Sequence, residues 1–321
     1  MKKVLFATTA LVASAGMAAA EVSFGGFGRF GLFYQENATG TNETRIEQRF
    51  RLTITGSTTS DNGLEFEGRI RFQSDYQSTG ASNTAQSSAA GFAVTSGGFR
   101  LDVGHVSNVI DSGDVVDYYG YGIGLTSFIE QSSKFSNTAV GFGSSQNFST
   151  IAPTIKLRYT AGDFTVSASV TDDAVTQSAS LTTGVFTPGG GNSSYQIGAS
   201  YSFGDYTIGA AFGSSETAGG TGPDNDEWII NFAGEVGALG FSVIIGDSDA
   251  QTDTSYGFSV KYDIGAATEI RFAFSDSGAP GNSDAYGIGF RHSLGGGVSL
   301  RGGIGDNSGI TTADLGVIFD F

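Results

Sequence analysis

The sequence predicts an all-β fold: a sixteen-stranded antiparallel β-barrel that crosses a membrane. Three observations predict it. Segments of about ten residues alternate between apolar and polar side chains, which is the strand period and the length a tilted strand needs to cross a bilayer. Only 15% of the 321 residues are charged, while there are 50 glycines, 26 phenylalanines and 12 tyrosines; soluble domains carry about 25% charged residues. The cations within the alternating segments all share the polar face.

The first 20 residues are read apart from the fold. Lys2 and Lys3 form a basic start, an apolar stretch runs from Val4 to about Ala15, and Ala18-Ala19-Ala20 offers a small-residue cleavage site before Glu21. This is the pattern of a cleaved secretory signal peptide, and the apolar stretch is too short for a membrane anchor. Removing Lys2 and Lys3 from 16 basic residues leaves 14 against 32 acidic ones, a mature charge of -18. No apolar run long enough for a transmembrane helix follows, so lipid contact requires a barrel. With no cysteine there is no disulfide framework. Residues 21–321 read as one barrel domain.

Alternation begins at Val22. Val22, Phe24, Phe30, Leu32 and Tyr34 share one face; Arg29 lies on the other, where Phe27 and Phe33 interrupt the polar pattern. The second segment is cleaner, with Ile46, Phe50, Leu52 and Ile54 opposite Arg45, Glu47, Arg49, Arg51, Thr53 and Thr55. The third sets Leu64, Phe66, Ile70 and Phe72 against Glu65, Glu67, Arg69, Arg71 and Gln73. Further strands are expected at 89–95, 98–105, 152–160, 163–172, 193–203, 205–214, 226–236, 239–247, 254–263, 267–276, 283–293, 297–305 and 311–321. Short Gly-containing links such as Ser96-Gly97 and Gly237-Ala238 alternate with long ones at 74–88, 106–151, 173–192 and 215–225. Short turns at one end and long loops at the other are how outer-membrane barrels are built.

Arg29, Arg45, Arg49, Arg51, Arg69, Arg71, Arg100, Lys156, Arg158, Lys261, Arg271, Arg291 and Arg301 all take polar-face parity; Lys134 falls in the long 106–151 connection. A cation facing lipid at the bilayer midplane costs about 2–4 kcal/mol. A soluble sandwich would also segregate charge, but its apolar faces would meet in an aliphatic core. Here the apolar face carries aromatics near strand ends, among them Tyr201, Trp228, Tyr256, Tyr262, Tyr286 and Phe321, as membrane-interface girdles do.

The 106–151 connection lacks alternation and holds Asp111, Asp114, Asp117 and Glu130 with Tyr118, Tyr119 and Tyr121. Connections this long are functional or disordered. It is read as a loop folded into the barrel lumen, its carboxylates facing wall arginines and setting the pore.

The stretches GFGRFGLFY (26–34), EQRFRLTITG (47–56), EGRIRFQSD (67–75) and the C-terminal ADLGVIFDF (313–321) resemble the general diffusion porins of Gram-negative outer membranes, in particular the alphaproteobacterial type. The resemblance spans the mature chain. It implies a sixteen-stranded outer-membrane barrel, a homotrimer in which loop 74–88 reaches a neighbour, and passive diffusion of small hydrophilic solutes and ions. It further implies an inward third external loop, residues 106–151, whose Asp111, Asp114, Asp117 and Glu130 face Arg29, Arg49, Arg51, Arg69 and Arg71. The glutamate-glycine-glycine signature of enteric members is absent from this loop. Some relatives bind calcium near loop carboxylates, which makes Asp111, Asp114 and Asp117 weak candidates; they lack EF-hand spacing.

Four alternatives stand beside this reading. The arginines could instead stabilise the wall by pairing with Glu47, Glu65 and Glu67. A substrate-specific channel for a sugar or amino acid would use Tyr118, Tyr119 and Tyr121 as lumen-lining aromatics. A hydrolase would need a catalytic set, yet His105 and His292 are the only histidines and no serine nucleophile motif accompanies them. An adhesin or purely structural barrel has no need for acids opposed to wall cations. No catalytic residue, cofactor site or nucleic-acid surface is expected, and the acidic excess predicts weak cation preference.

Overall fold

The computed structural model describes residues 20–39, 42–75, 85–135, 153–172, 178–179, 186–187, 193–216, 224–281 and 283–321. The expected signal peptide lies outside the described residues except for Ala20, as do parts of the long connections, including 76–84 and 136–152.

All sixteen expected strands form: β1 (Glu21–Gln35), β2 (Thr44–Thr59), β3 (Glu65–Asp75), β4 (Gly91–Ser96), β5 (Phe99–Gly104), β6 (Thr154–Ala161), β7 (Phe164–Asp172), β8 (Ser193–Phe203), β9 (Tyr206–Ser215), β10 (Asn225–Val236), β11 (Leu239–Ser248), β12 (Ser255–Asp263), β13 (Thr268–Asp276), β14 (Asp284–Gly295), β15 (Val298–Asn307) and β16 (Ile310–Asp320). Each pairs antiparallel with its sequence neighbour, and β1 also pairs with β16 from Phe27 opposite Asp320 to Gln35 opposite Thr312. The sheet is therefore closed and has no free edge, so every strand can satisfy its backbone polar groups without water. A two-residue piece, Gln86–Ser87, continues the line of β4 beside β3, and Ser178–Ala179 pairs with Phe186–Thr187 outside the barrel sheet.

Period-two alternation survives in three dimensions. Along β10, Trp228, Ile230 and Phe232 are exposed while Glu227, Ile229 and Asn231 are buried. The exposed apolar face continues around the wall through Phe24, Ile46, Phe92, Ile155, Ile197, Ile208, Val243, Ile288 and Leu315. In water this surface would be an aggregation hazard; against hydrocarbon it is the favourable solvent contact. Tight turns fall where the short links were expected, and Gly97 and Gly237 adopt φ of 56° and 62° there, a region that side chains disfavour.

The buried apolar clusters lie on the opposite face. Val109, Ile110, Val115, Val116 and Tyr118 pack on Ala211, Ile229 and Ile244, and Ile123 and Ile129 pack on Ala273 and Ala285. In both cases residues of the long connection meet wall residues of polar-face parity. Burying each large aliphatic is worth on the order of 1.5–3 kcal/mol, which makes the connection a folded element. It contains a one-turn helix, α1 (Val109–Ser112), whose Asp111 amide donates to the Asn108 Oδ1 cap at 2.9 Å, and which ends at Gly113 with φ 72°.

Candidate functional site

Residues 105–135 are tied to the polar face by side chains from eight strands, seven of which make the hydrogen bonds that follow. The Val109 amide donates to Ser169 Oγ on β7 at 3.2 Å, and the Ile110 amide to Gln196 Oε1 on β8 at 3.0 Å. The Asp117 amide donates to Asn231 Oδ1 on β10 at 3.1 Å, and the Tyr121 amide to Ser259 Oγ on β12 at 2.8 Å. Gln131 Nε2 reaches Ser242 Oγ on β11 at 3.0 Å, and the Lys134 amide reaches Ser275 Oγ on β13 at 2.9 Å. On β16, Asp314 accepts from the Leu125 and Thr126 amides and from Thr126 Oγ1, each at 2.8 Å. Backbone donors that no regular ladder satisfies are met by short wall side chains, so the segment can be buried at small cost.

Close approach also needs missing side chains. A Cβ built on Gly209 would lie 1.7 Å from the Val115 carbonyl oxygen, and one on Gly257 would lie 1.8 Å from that of Gln131. Both glycines have polar-face parity, and there the segment's backbone rests directly on the wall.

The carboxylates divide into two groups. Asp111 accepts from Tyr119 Oη at 2.6 Å, and Asp117 Oδ1 from the Gly120 amide at 3.0 Å. Glu130 is half-buried; its carboxyl is pushed up to about 7, first by burial and then by Asp117. Asp114 is different. Lys156 Nζ lies 2.5 Å from its Oδ2 and Arg158 Nη1 lies 2.6 Å from its Oδ1, both from β6. Burial alone would raise the Asp114 pKa, but these two cations outweigh it and hold the carboxyl below its usual range. Tyr118 is buried in the apolar cluster, and Tyr121 sits 5.8 Å from both Lys261 Nζ and the Arg271 guanidinium carbon.

The early-strand arginines form a second group. Arg29 pairs with Glu47 at 2.7 Å and Arg49 with Asp75 at 2.5 Å. Arg51 donates to Gln73 Oε1 at 2.5 Å and lies over the Phe27 ring at 5.1 Å. Arg69 and Arg71 flank His105, which is buried with neither ring nitrogen hydrogen-bonded; burial first, then these two positive charges, lower its pKa.

A family model described as Gram-negative porin matches residues 7–310. The chain belongs to the Gram-negative porin family. A porin of Fuscovulum blasticum is 31% identical over 318 residues, covering 94% of this chain and all of that one, and a porin of Rhodobacter capsulatus is 25% identical with the same coverage. Among solved structures, an engineered variant of the Rh. blastica porin superposes with a TM-score of 0.75 at 26% identity, and a structure titled for asymmetric conductivity of engineered proteins does so at 0.70 and 27%; each covers 94% of this chain and all of the other. The protein is thus an outer-membrane porin channel and not an enzyme.

In this porin the expected site residues do not meet as one set of ion pairs. Among the described residues Arg29, Arg49, Arg51, Arg69 and Arg71 make no ion pair with Asp111, Asp114, Asp117 or Glu130. Of the wall pairings expected for these arginines, Glu47 with Arg29 forms; Glu67 pairs instead with Arg100 at 3.4 Å, and Glu65 makes no ion pair among the described residues. Asp111, Asp114 and Asp117 have separate partners, and among the described residues no group of three or more His, Asp or Glu is placed to hold a metal. The sequence reading did not single out Lys156 and Arg158 as partners of Asp114, or Asp314 as an anchor.

One more feature was present in the sequence. No lysine or arginine occurs between Arg158 and Lys261. Strands β7–β11 are therefore free of cations, and their polar face offers Ser167, Ser169, Gln196, Asn231 and Ser242 instead. This cation-free wall is where α1, Asp117 and Gln131 are tethered.

Proposed function

We propose that the polar face lines a water-filled lumen and that residues 105–135 lie across it as a constriction through which small hydrophilic solutes and ions diffuse passively. The supporting observation is the division of the wall. The segment that carries Asp111, Asp117 and Glu130 is tethered largely to the cation-free strands β7–β11, whereas Arg29, Arg49, Arg51, Arg69 and Arg71 stand on β1–β3. Acids on one side and cations on the other set up a field across the narrowest part of the channel. Polar solutes align with it, and apolar ones must displace ordered water. The partial neutralisation of Arg29 by Glu47 and of Arg49 by Asp75 weakens that field on the cationic side and favours a modest cation preference.

Export by the N-terminal signal peptide and assembly as a homotrimer through the exposed apolar face complete the reading. The burial of Tyr118 in an apolar cluster assigns it to packing, and this argues for general diffusion over a sugar- or amino-acid-specific channel.

The test is single-channel conductance and reversal potential in planar bilayers. Wild type should give large stepwise conductance with weak cation preference. A variant lacking residues 111–130 should conduct more, and Arg49→Gln with Arg51→Gln should strengthen cation preference. Unchanged conductance in the deletion variant would remove the constriction from this segment.

A further inference from the structure

Wall cations stand directly opposite one another in four cross-strand pairs: Arg29 with Arg49, Arg100 with Arg158, Lys261 with Arg271, and Arg291 with Arg301. Like charges in direct register destabilise a sheet. The first three pairs are relieved. Glu47 and Asp75 neutralise Arg29 and Arg49; Glu67, Asp102 and Asp114 serve Arg100 and Arg158; Glu235 and Glu269 hold Lys261 and Arg271.

The fourth pair has no such relief. The Arg291 side chain makes no hydrogen bond or ion pair among the described residues, and the Arg301 side chain only donates its Nε to Ser299 Oγ at 3.1 Å. Glu269 is opposite Arg291 in register, but its Oε1 is held by Arg271 Nε at 2.8 Å and Nη2 at 2.5 Å. Asp320 and Glu269 act on Arg301 from beyond ion-pair distance, and Arg271 adds a third positive charge nearby. Arg291 opens on a cleft of about 340 Å³ that it shares with Thr268, Glu269, Ser293 and Asp263.

We propose that Arg291 and Arg301 bind a doubly charged oxyanion of the phosphate class carried by solutes in the channel. This rests on the reading of the polar face as the lumen wall. Two guanidinium groups at cross-strand spacing present planar forks of donors, which match tetrahedral oxyanions better than a lysine pair would. A dianion supplies the negative charge that two or three carboxylates supply to each of the other pairs. The site lies near the short Gly295–Gly297 turn and uses none of the early-strand arginines.

The experiment uses inorganic phosphate as the probe in planar bilayers, replacing chloride at constant ionic strength. Wild-type current should fall saturably as phosphate rises. Arg291→Gln and Arg301→Gln should each raise the half-blocking concentration by about tenfold, the size of one lost charge-assisted hydrogen bond. Arg291→Lys keeps the charge without the fork and should fall between wild type and Arg291→Gln. Chloride conductance of each variant reports that a folded channel was inserted, and the lysine variant carries the comparison if a glutamine variant gives no channel. Equal block of wild type and both glutamine variants would overturn the site, as would a wild type that conducts chloride but shows no saturable block. A wild type that conducts neither ion would instead overturn the lumen reading.

Discussion

Lys156 and Asp114 meet at 2.5 Å with both side chains largely buried, and Arg158 closes on the other carboxylate oxygen. The loop that carries Asp114 is thereby clamped to β6, the strand that follows it in sequence. Removing one partner of a buried ion pair costs about 3–5 kcal/mol because the other charge is left uncompensated, whereas replacing both can be close to neutral. Asp114→Asn should therefore destabilise the protein by about 3 kcal/mol, the lower end of that range, since Arg158 is partly exposed. Asp114→Asn combined with Lys156→Met should recover most of the loss. Urea midpoints in detergent for the two single variants and the double variant form the cycle; a double variant as unstable as the sum of the singles would remove the clamp.

The same pair sets an acid limit. The folded-state pKa of Asp114 lies below its unfolded value, so its contribution to stability is fully present above the unfolded pKa of about 3.9 and is lost as pH falls through the folded value. Wild type should lose stability faster than Asp114→Asn between about pH 4 and the acid transition. Unfolding midpoints of both proteins across that window give the comparison, and parallel slopes would count against the linkage.

Asp314 is a second tether. It accepts three hydrogen bonds from Leu125 and Thr126. Asp314→Ala leaves the buried Leu125 amide and the partly buried Thr126 amide without partners, at about 1–3 kcal/mol for the buried one. The expected result is protease cleavage near residues 122–128 that wild type resists, together with noisier single-channel current, while circular dichroism keeps the strand signature. Protection equal to wild type would mean that water replaces the carboxylate.

Gly209 and Gly257 test the bed on which the segment rests. A Cβ at either position overlaps a carbonyl oxygen of the segment, whereas one at Gly56 meets nothing within 4 Å. Gly209→Ala and Gly257→Ala should displace the segment and change unit conductance; Gly56→Ala should not. Identical conductance in all three variants would show that the segment accommodates the methyl without moving.

These cases also show what could be read in advance. All sixteen strands were legible, because membrane crossing imposes a period-two pattern that Ile46, Phe50 and Leu52 against Glu47, Arg49 and Arg51 display without help from tertiary structure. The segment's carboxylates were legible as a group. Their partners were not, because Asp114 meets Lys156 and Leu125 meets Asp314 through chain closure, and no local spacing encodes either pair. Glycines at polar-face positions such as Gly209 and Gly257 did encode close backbone approach. The gap in cations from Arg158 to Lys261 encoded the cation-free wall.

Glu130 gives the prediction nearest to physiological conditions. Burial, followed by the charge of Asp117, pushes its carboxyl from 4.5 up to about 7. A carboxyl with a raised folded-state pKa favours the folded state most below its unfolded pKa, and that advantage is lost as pH rises through the folded value. Between about pH 6 and pH 8 the segment should therefore gain a negative charge and become less tightly packed. Under the constriction reading, wild-type reversal potential should move toward stronger cation preference across this range. Glu130→Gln cannot ionise at this position, so its selectivity should shift less than that of wild type, and it should be more stable than wild type at pH 8. Reversal potentials of both proteins, measured at half-unit steps of pH, make the comparison. A shift of the same size in Glu130→Gln would assign the titration to another group.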